Sequence, residues 1–149
     1  MSEILVRKAV EEDIPELAKI EKESFSDPWS GPYLELGLYN PLGIFLVAEK
    51  DGKVLGLIIG SQDGESAFIN NIAVAASARK QGVGTALIKG FFDELPESVY
   101  HLALEVRESN IAAQKLYSKF GFEAAGIRKN LYSSPREDGV VMTLDLKKD

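Results

Sequence analysis

Residues 67–85 constrain the fold more than any other part of the chain. Residues 67–74, Ala-Phe-Ile-Asn-Asn-Ile-Ala-Val, read as a strand that is apolar on both faces except for Asn70 and Asn71. The two Asn mark a bulge or an open edge. The strand runs through a loop to Gly82 and Gly84, which introduce a helix. There Val83, Leu87, Phe91 and Leu95 recur every fourth residue, and Pro96 ends the pattern. Residues 99–106 form another largely apolar strand.

The flanking segments add to this β-α-β unit. Residues 4–8 read as a short strand. Asp13, with Glu16 three residues on and Pro15 in the first turn, signals a helix start. Ile14, Leu17, Ala18, Ile20 and Phe25 follow, until Ser26-Asp27-Pro28 breaks the helix. A short helix over 32–39 stops at Asn40-Pro41. Residues 44–48 and 54–59 are strands joined by an Asp51-Gly52 hairpin turn. Residues 110–120 are helical, with Gly121 as a left-handed cap. Residues 122–127 and 140–146 complete the strands. The order β-α-α-β-β-β-α-β-α-β-β predicts an α/β (α+β) mixed sheet carrying helices. No repeat or interdomain linker interrupts the 149 residues, so the whole of 1–149 is expected to be one domain.

Composition narrows the chemistry. The chain has no Cys, which excludes disulfides, thiolate metal sites and a Cys nucleophile. With one His as well, no metal is expected. There are 17 Lys and Arg against 23 Asp and Glu, a net charge of −6, so nucleic acid is not an expected partner. No apolar run approaches a membrane span, and Met1-Ser2-Glu3-Ile4 carries no secretory pattern. The expected location is cytoplasmic. Oligomeric state is not readable.

The loop before the glycine-started helix is suited to an anion. Helix-start N–H groups and the helix dipole attract negative charge, and Gly lets a phosphate approach the backbone. Arg79 and Lys80 add positive charge. Two well-known phosphate loops are absent: there is no Gly-x-x-x-x-Gly-Lys-Ser/Thr, and Leu87 stands where a dinucleotide fingerprint needs a third Gly.

Arg79-x-x-Gly82-x-Gly84 resembles the acetyl-coenzyme A signature of the GNAT N-acetyltransferases. Asn71-Ile72-Ala73-Val74, Leu104-Glu105-Val106-Arg107, Ser109-Asn110-Ile111-Ala112-Ala113, Leu116-Tyr117, Gly121-Phe122, Arg128-Lys129-Asn130 and Arg136-Glu137-Asp138 are similar to the ribosomal-protein-alanine acetyltransferase (RimI) branch. The resemblance implies a mostly antiparallel mixed sheet with helices on both faces and a central parallel pair that splays apart. Acetyl-coenzyme A is the implied co-substrate. Its pantetheine arm would meet Ile72, Ala73 and Val74, and its pyrophosphate would meet Arg79, Lys80, Gln81, Gly82, Val83, Gly84 and Thr85. Asn110 would contact it too, although Asn also suits a plain N-cap.

Glu105 matches the family's general base and Tyr117 the residue that protonates the leaving thiolate. An α-amine, with a reference pKa near 7.7–8.0, needs such a base at neutral pH. The ordinary alternatives are a Glu105 solvated or paired with Arg107 and a Tyr117 packed under its helix. Phe25, Trp29 and Tyr132 occupy acceptor-groove positions. Core packing is the alternative for Trp29, and Leu131 replaces the first member of the usual Tyr-Tyr pair. His101 reads as a satisfied or surface residue rather than a ligand. The implied acceptor is the N-terminal amine of a ribosomal protein beginning with Ala or Ser. A small-molecule amine, a lysine side chain and a non-catalytic acyl-coenzyme A sensor are the competing readings.

Overall fold

Seven strands form one sheet in the order β1-β2-β3-β4-β5-β7-β6. They are β1 (Leu5–Lys8), β2 (Gly43–Lys50), β3 (Lys53–Gln62), β4 (Ser66–Val74), β5 (His101–Arg107), β6 (Glu123–Tyr132) and β7 (Glu137–Asp145). The helices are α1 (Ile14–Ser24), α2 (Gly31–Leu38), α3 (Val83–Asp93) and α4 (Ile111–Lys119). This computed structural model describes residues 3–146. The element order matches the sequence reading. Only β4 and β5 pair in parallel, and every other neighbouring pair is antiparallel.

Strand alternation shows how the helices cover both faces. A Cβ on Gly56 would meet Val83 and Leu87 of α3, and one on Gly60 would meet the Phe91 ring. A Cβ on Gly37 of α2 would instead meet Ile59 and Phe45. Adjacent residues of a strand point to opposite faces, so α3 and α2 lie on opposite sides of the sheet. The bare backbone at Gly56 and Gly60 lets α3 settle close. Val83, Leu87, Ile88 and Phe91 are its buried residues, and each contributes roughly 1.5–3 kcal/mol by leaving water. That outweighs the ~1 kcal/mol that a strand Gly costs.

The start of α1 differs from the expected cap. Asp13 does not cap α1 through its side chain. A short 3-10 turn, Glu11–Asp13, precedes the helix, and the Asp13 carboxylate reaches back to accept the Val10 amide at 2.8 Å. It also takes a bidentate pair from Arg7 at 2.8 and 2.9 Å. That hydrogen-bonded guanidinium holds the Asp13 carboxyl below its usual range.

The bulge suggested by the two Asn is real. Ile59 pairs with Asn71 and Gly60 with Ile69, leaving Asn70 as the extra residue. At this point β4 also leaves β5. Their ladder runs only from Ser66↔His101 to Ile69↔Leu104, although both strands continue.

One buried acid makes the fold sensitive to pH. Glu21 of α1 is fully buried, and burial pushes its carboxyl up from 4.5 to about 7. The Trp29 amide and the Asn71 side chain oppose that shift, and no charged group contributes to it. Between about pH 4.5 and 7 the folded chain therefore keeps a proton that the unfolded chain has released. Stability from this group is full below that window and is lost as pH rises through it. Urea denaturation should show wild type losing stability relative to Glu21→Gln across this range. A stability difference independent of pH would refute the assignment.

Candidate active site

The parting of β4 and β5 opens a continuous space made of two cavities. The larger, about 1400 Å³, lies between the end of β4, the loop into α3, and α4. The smaller, about 580 Å³, lies between the turn after α1, the end of β5 and the β6–β7 connection. Ser24, Phe25, Ile72, Asn110 and Ala113 line both, so the two meet where the strands have separated.

Ile72, Ala73 and Val74 form the β4 wall of the larger cavity. The loop and helix start supply Arg79, Lys80, Gly82, Val83, Gly84 and Thr85. Gly82 caps α3 with φ +83°, and a Cβ there would meet nothing within 4 Å. The left-handed backbone and the open space in front of it form a cradle suited to an anionic group. Gly84 has a different reason to be small, because a Cβ there would press on Leu116 of α4 at 2.9 Å. Arg79 also ties its loop to β4 by donating from Nε to the Val74 carbonyl at 3.3 Å. Gln81 is absent from the cavity wall. Its amide turns back to the Ser77 carbonyl at 3.3 Å. Asn110 is the N-cap of α4, its Oδ1 accepting the Ala113 amide at 3.1 Å, and the residue also lines both cavities.

Glu105 and Tyr117 face the smaller cavity from opposite elements. Along β5, Leu102, Leu104 and Val106 are buried while Ala103, Glu105 and Arg107 are half-buried. Glu105 therefore stands on the partly open face rather than within the apolar one. Its partner is Arg128 of β6, which donates from Nη1 to Oε2 at 2.6 Å, and not Arg107. Tyr117 is buried and meets Phe122 edge-on, with ring centroids 6.0 Å apart. Burial holds its phenol well above the ordinary range.

Phe25, Trp29 and Tyr132 line the smaller cavity with Leu131. Trp29 is half-buried and meets Tyr33 edge-on, with ring centroids 4.6 Å apart, so it both packs and faces the space. Burial, and then the nearby Glu105, raise the Tyr132 phenol. His101 sits outside both cavities at the start of β5, 2.6 Å from Asp145.

The sequence reading missed the role of Arg107. Its guanidinium donates to the Ser133 carbonyl (3.0 Å), the Pro135 carbonyl (3.0 Å), Glu137 (3.1 Å) and Ser26 Oγ (3.2 Å). Asp27 lies 3.6 Å away, and the cation sits over the Tyr132 ring at 4.6 Å. Strand alternation from Glu105 would have put Arg107 on the same face, but its partners are distant in sequence. Among the described residues no helix is long and apolar enough to span a membrane, and no His, Asp and Glu cluster of metal-site size is present.

Comparison with known proteins agrees with this geometry. A Bacillus subtilis protein provisionally named a ribosomal protein bS18-alanine N-acetyltransferase is 41% identical over 140 residues, 92% of each chain. The Escherichia coli ribosomal protein bS18-alanine N-acetyltransferase is 35% identical over 137 residues, covering 90% of this chain and 92% of its own. The crystal structure of the E. coli ribosomal-protein-S18-alanine N-acetyltransferase superposes with a TM-score of 0.89 at 31% identity, over 99% of this chain and 96% of the other. The model of the Acetyltransferase (GNAT) family matches residues 14–122, and the chain belongs to that family as an N-acetyltransferase.

Proposed function

We propose that this chain transfers the acetyl group of acetyl-coenzyme A to the N-terminal α-amine of a protein, a small-subunit ribosomal protein beginning with Ala or Ser, in the cytoplasm. The observation that carries this reading is the meeting of two cavities, the smaller of which is lined by both Glu105 and Tyr117. The relatives named for bS18-alanine acetylation support the acceptor class.

The larger cavity takes the coenzyme. Its β4 wall offers backbone groups to the amide-bearing arm, in the manner of strand addition. The cradle at Gly82, with Arg79 and Lys80, takes the pyrophosphate. The co-substrate supplies a thioester-activated acetyl group. Glu105 accepts a proton from the acceptor amine, directly or through one water. Tyr117, kept protonated by burial, gives its proton to the departing sulfur. Transfer is direct, and positioning of the two reactants supplies much of the rate.

The acceptor wall favours a peptide over a polyamine. Phe25, Trp29, Leu131 and Tyr132 are apolar or aromatic, and of the three acidic groups on the wall Asp27 and Glu137 already face Arg107 while Glu105 is paired with Arg128. A polyamine would need free carboxylates there. A screen of N-terminal peptides, internal-lysine peptides and polyamines should show transfer to the first group, and transfer confined to polyamines would overturn the acceptor reading.

Gly82→Val should fold, because its Cβ enters open space, at a left-handed cost of about 1–2 kcal/mol. Its side chain would stand where the pyrophosphate binds. Calorimetry should show coenzyme A affinity reduced roughly tenfold or more, about 1.4 kcal/mol. Unchanged affinity in the folded variant would move the phosphate site elsewhere.

Glu105→Gln should lower kcat by roughly 10²–10⁴ with coenzyme A binding little changed. The loss should shrink as pH rises, because more of the amine is then already neutral. Tyr117→Phe should also lower kcat, but with no recovery at high pH, since the donor is still missing. pH–rate profiles of both variants separate the two roles. Near-normal kcat at neutral pH in Glu105→Gln would leave Glu105 a structural carboxylate.

A further inference from the structure

Glu21 is buried in a protein whose other carboxylates mostly reach solvent, and only Asp13 joins it among the buried charged residues described. Asp13 has Arg7 as a cation partner; Glu21 has none among the described residues. Carrying a carboxylate into a core without a cation is costly, so its hydrogen bonds matter. The Trp29 amide donates to Oε1 at 2.9 Å, and Asn71 Nδ2 donates to Oε1 at 3.0 Å and to Oε2 at 2.9 Å. The Glu21 backbone carbonyl also accepts the Phe25 amide at 3.0 Å.

These contacts span the site. Phe25 and Trp29 are the two ends of the turn that walls the smaller cavity. Asn71 follows the bulge residue Asn70, where β4 parts from β5 and just before the Ile72–Val74 wall of the larger cavity. The Phe25 bond is the last backbone bond of α1, whereas the Glu21 side chain joins the far end of the acceptor turn, at Trp29, to Asn71 of the strand that forms the coenzyme wall. Glu21 lines neither cavity, so it touches neither reactant.

We infer that Glu21 is a positioning residue for acetyl transfer, clamping the acceptor turn at Trp29 to the β4 bulge at Asn71 so that amine and thioester meet in register. The inference rests on the acetyl-transfer function proposed above. A carboxylate has the acceptors for all three hydrogen bonds from these two donor groups. A Gln side chain keeps the Trp29 bond through its oxygen and can pair its amide with a flipped Asn71 amide. Leu is of similar size and keeps none of these bonds. Asn71→Ala cuts the strand arm and leaves the Trp29 arm intact.

The test uses the full chain and an N-terminal peptide acceptor. Trp29 is the only Trp, so its fluorescence reports the turn directly. Glu21→Leu should increase acrylamide quenching of Trp29 and raise the peptide KM. Its kcat/KM should fall roughly 10–100-fold, the scale of an ångström-level misplacement. Glu21→Gln should restore both readouts to within about threefold of wild type. Asn71→Ala should leave Trp29 quenching near wild type but lower kcat/KM, and it stands in if Glu21→Leu does not fold. A merely structural role would reduce the active fraction, lowering kcat with KM unchanged. That pattern would overturn the inference, as would wild-type kinetics in both severing variants or a Glu21→Gln no better than Glu21→Leu. If wild type acetylates no peptide, the acceptor reading fails on its own, and Trp29 quenching in the Leu and Gln variants still decides whether the clamp exists.

Discussion

The separation of β4 from β5 after the Ile69↔Leu104 pair is the constraint on which the site depends. A continued ladder would bind the backbone of Ile72–Val74 to β5 and close the space between the cavities. The bulge at Asn70 marks where that pairing ends. An unpaired strand edge is ordinarily a liability, because its N–H and C=O groups seek partners. Here the edge faces the larger cavity, which the start of α4 and the loop into α3 close on its outer side.

Helix packing keeps the parted strands in place. Both sheet faces are occupied, by α3 on the Gly56 and Gly60 side and by α2 on the Phe45 and Ile59 side. The β4 end therefore leaves β5 without losing its support on β3, which pairs with it up to Val74. The residues that line the smaller cavity come from elements that flank the gap: Glu105 from β5, Tyr117 from α4, and Phe25 and Trp29 from the turn after α1.

The element order was readable from the sequence because apolar period, Gly and Pro are local signals. The cavity-lining residues of the 79–85 loop were readable for the same reason: its two Gly and its cations are contiguous in the chain. The site's electrostatics were not. Glu105 was weighed against pairing with Arg107, two residues away, yet its partner comes from β6, two strands across the sheet. Asp13 looked like a helix cap, but the 3-10 turn before α1 put its carboxylate in reach of Arg7 and Val10 instead. Glu21 gave no signal, since a Glu within an amphipathic helix ordinarily reads as solvent-facing. Gly84 was read for its ligand, whereas its neighbour Leu116 supplies a packing reason. In each case the deciding contact is between segments far apart in the chain, and alternation or periodicity carries no information about it.

Arg107 holds the two lips of the smaller cavity at once: Ser26 and Asp27 on one side, Ser133, Pro135 and Glu137 on the other. The width of that opening is therefore a single shared variable rather than two independent ones. An insertion in the β6–β7 connection cannot widen the mouth while the guanidinium still grips the opposite turn. A wider mouth within this architecture requires changing both lips together or replacing the arginine that joins them, and the Ile72–Val74 wall of the larger cavity is left untouched by either route.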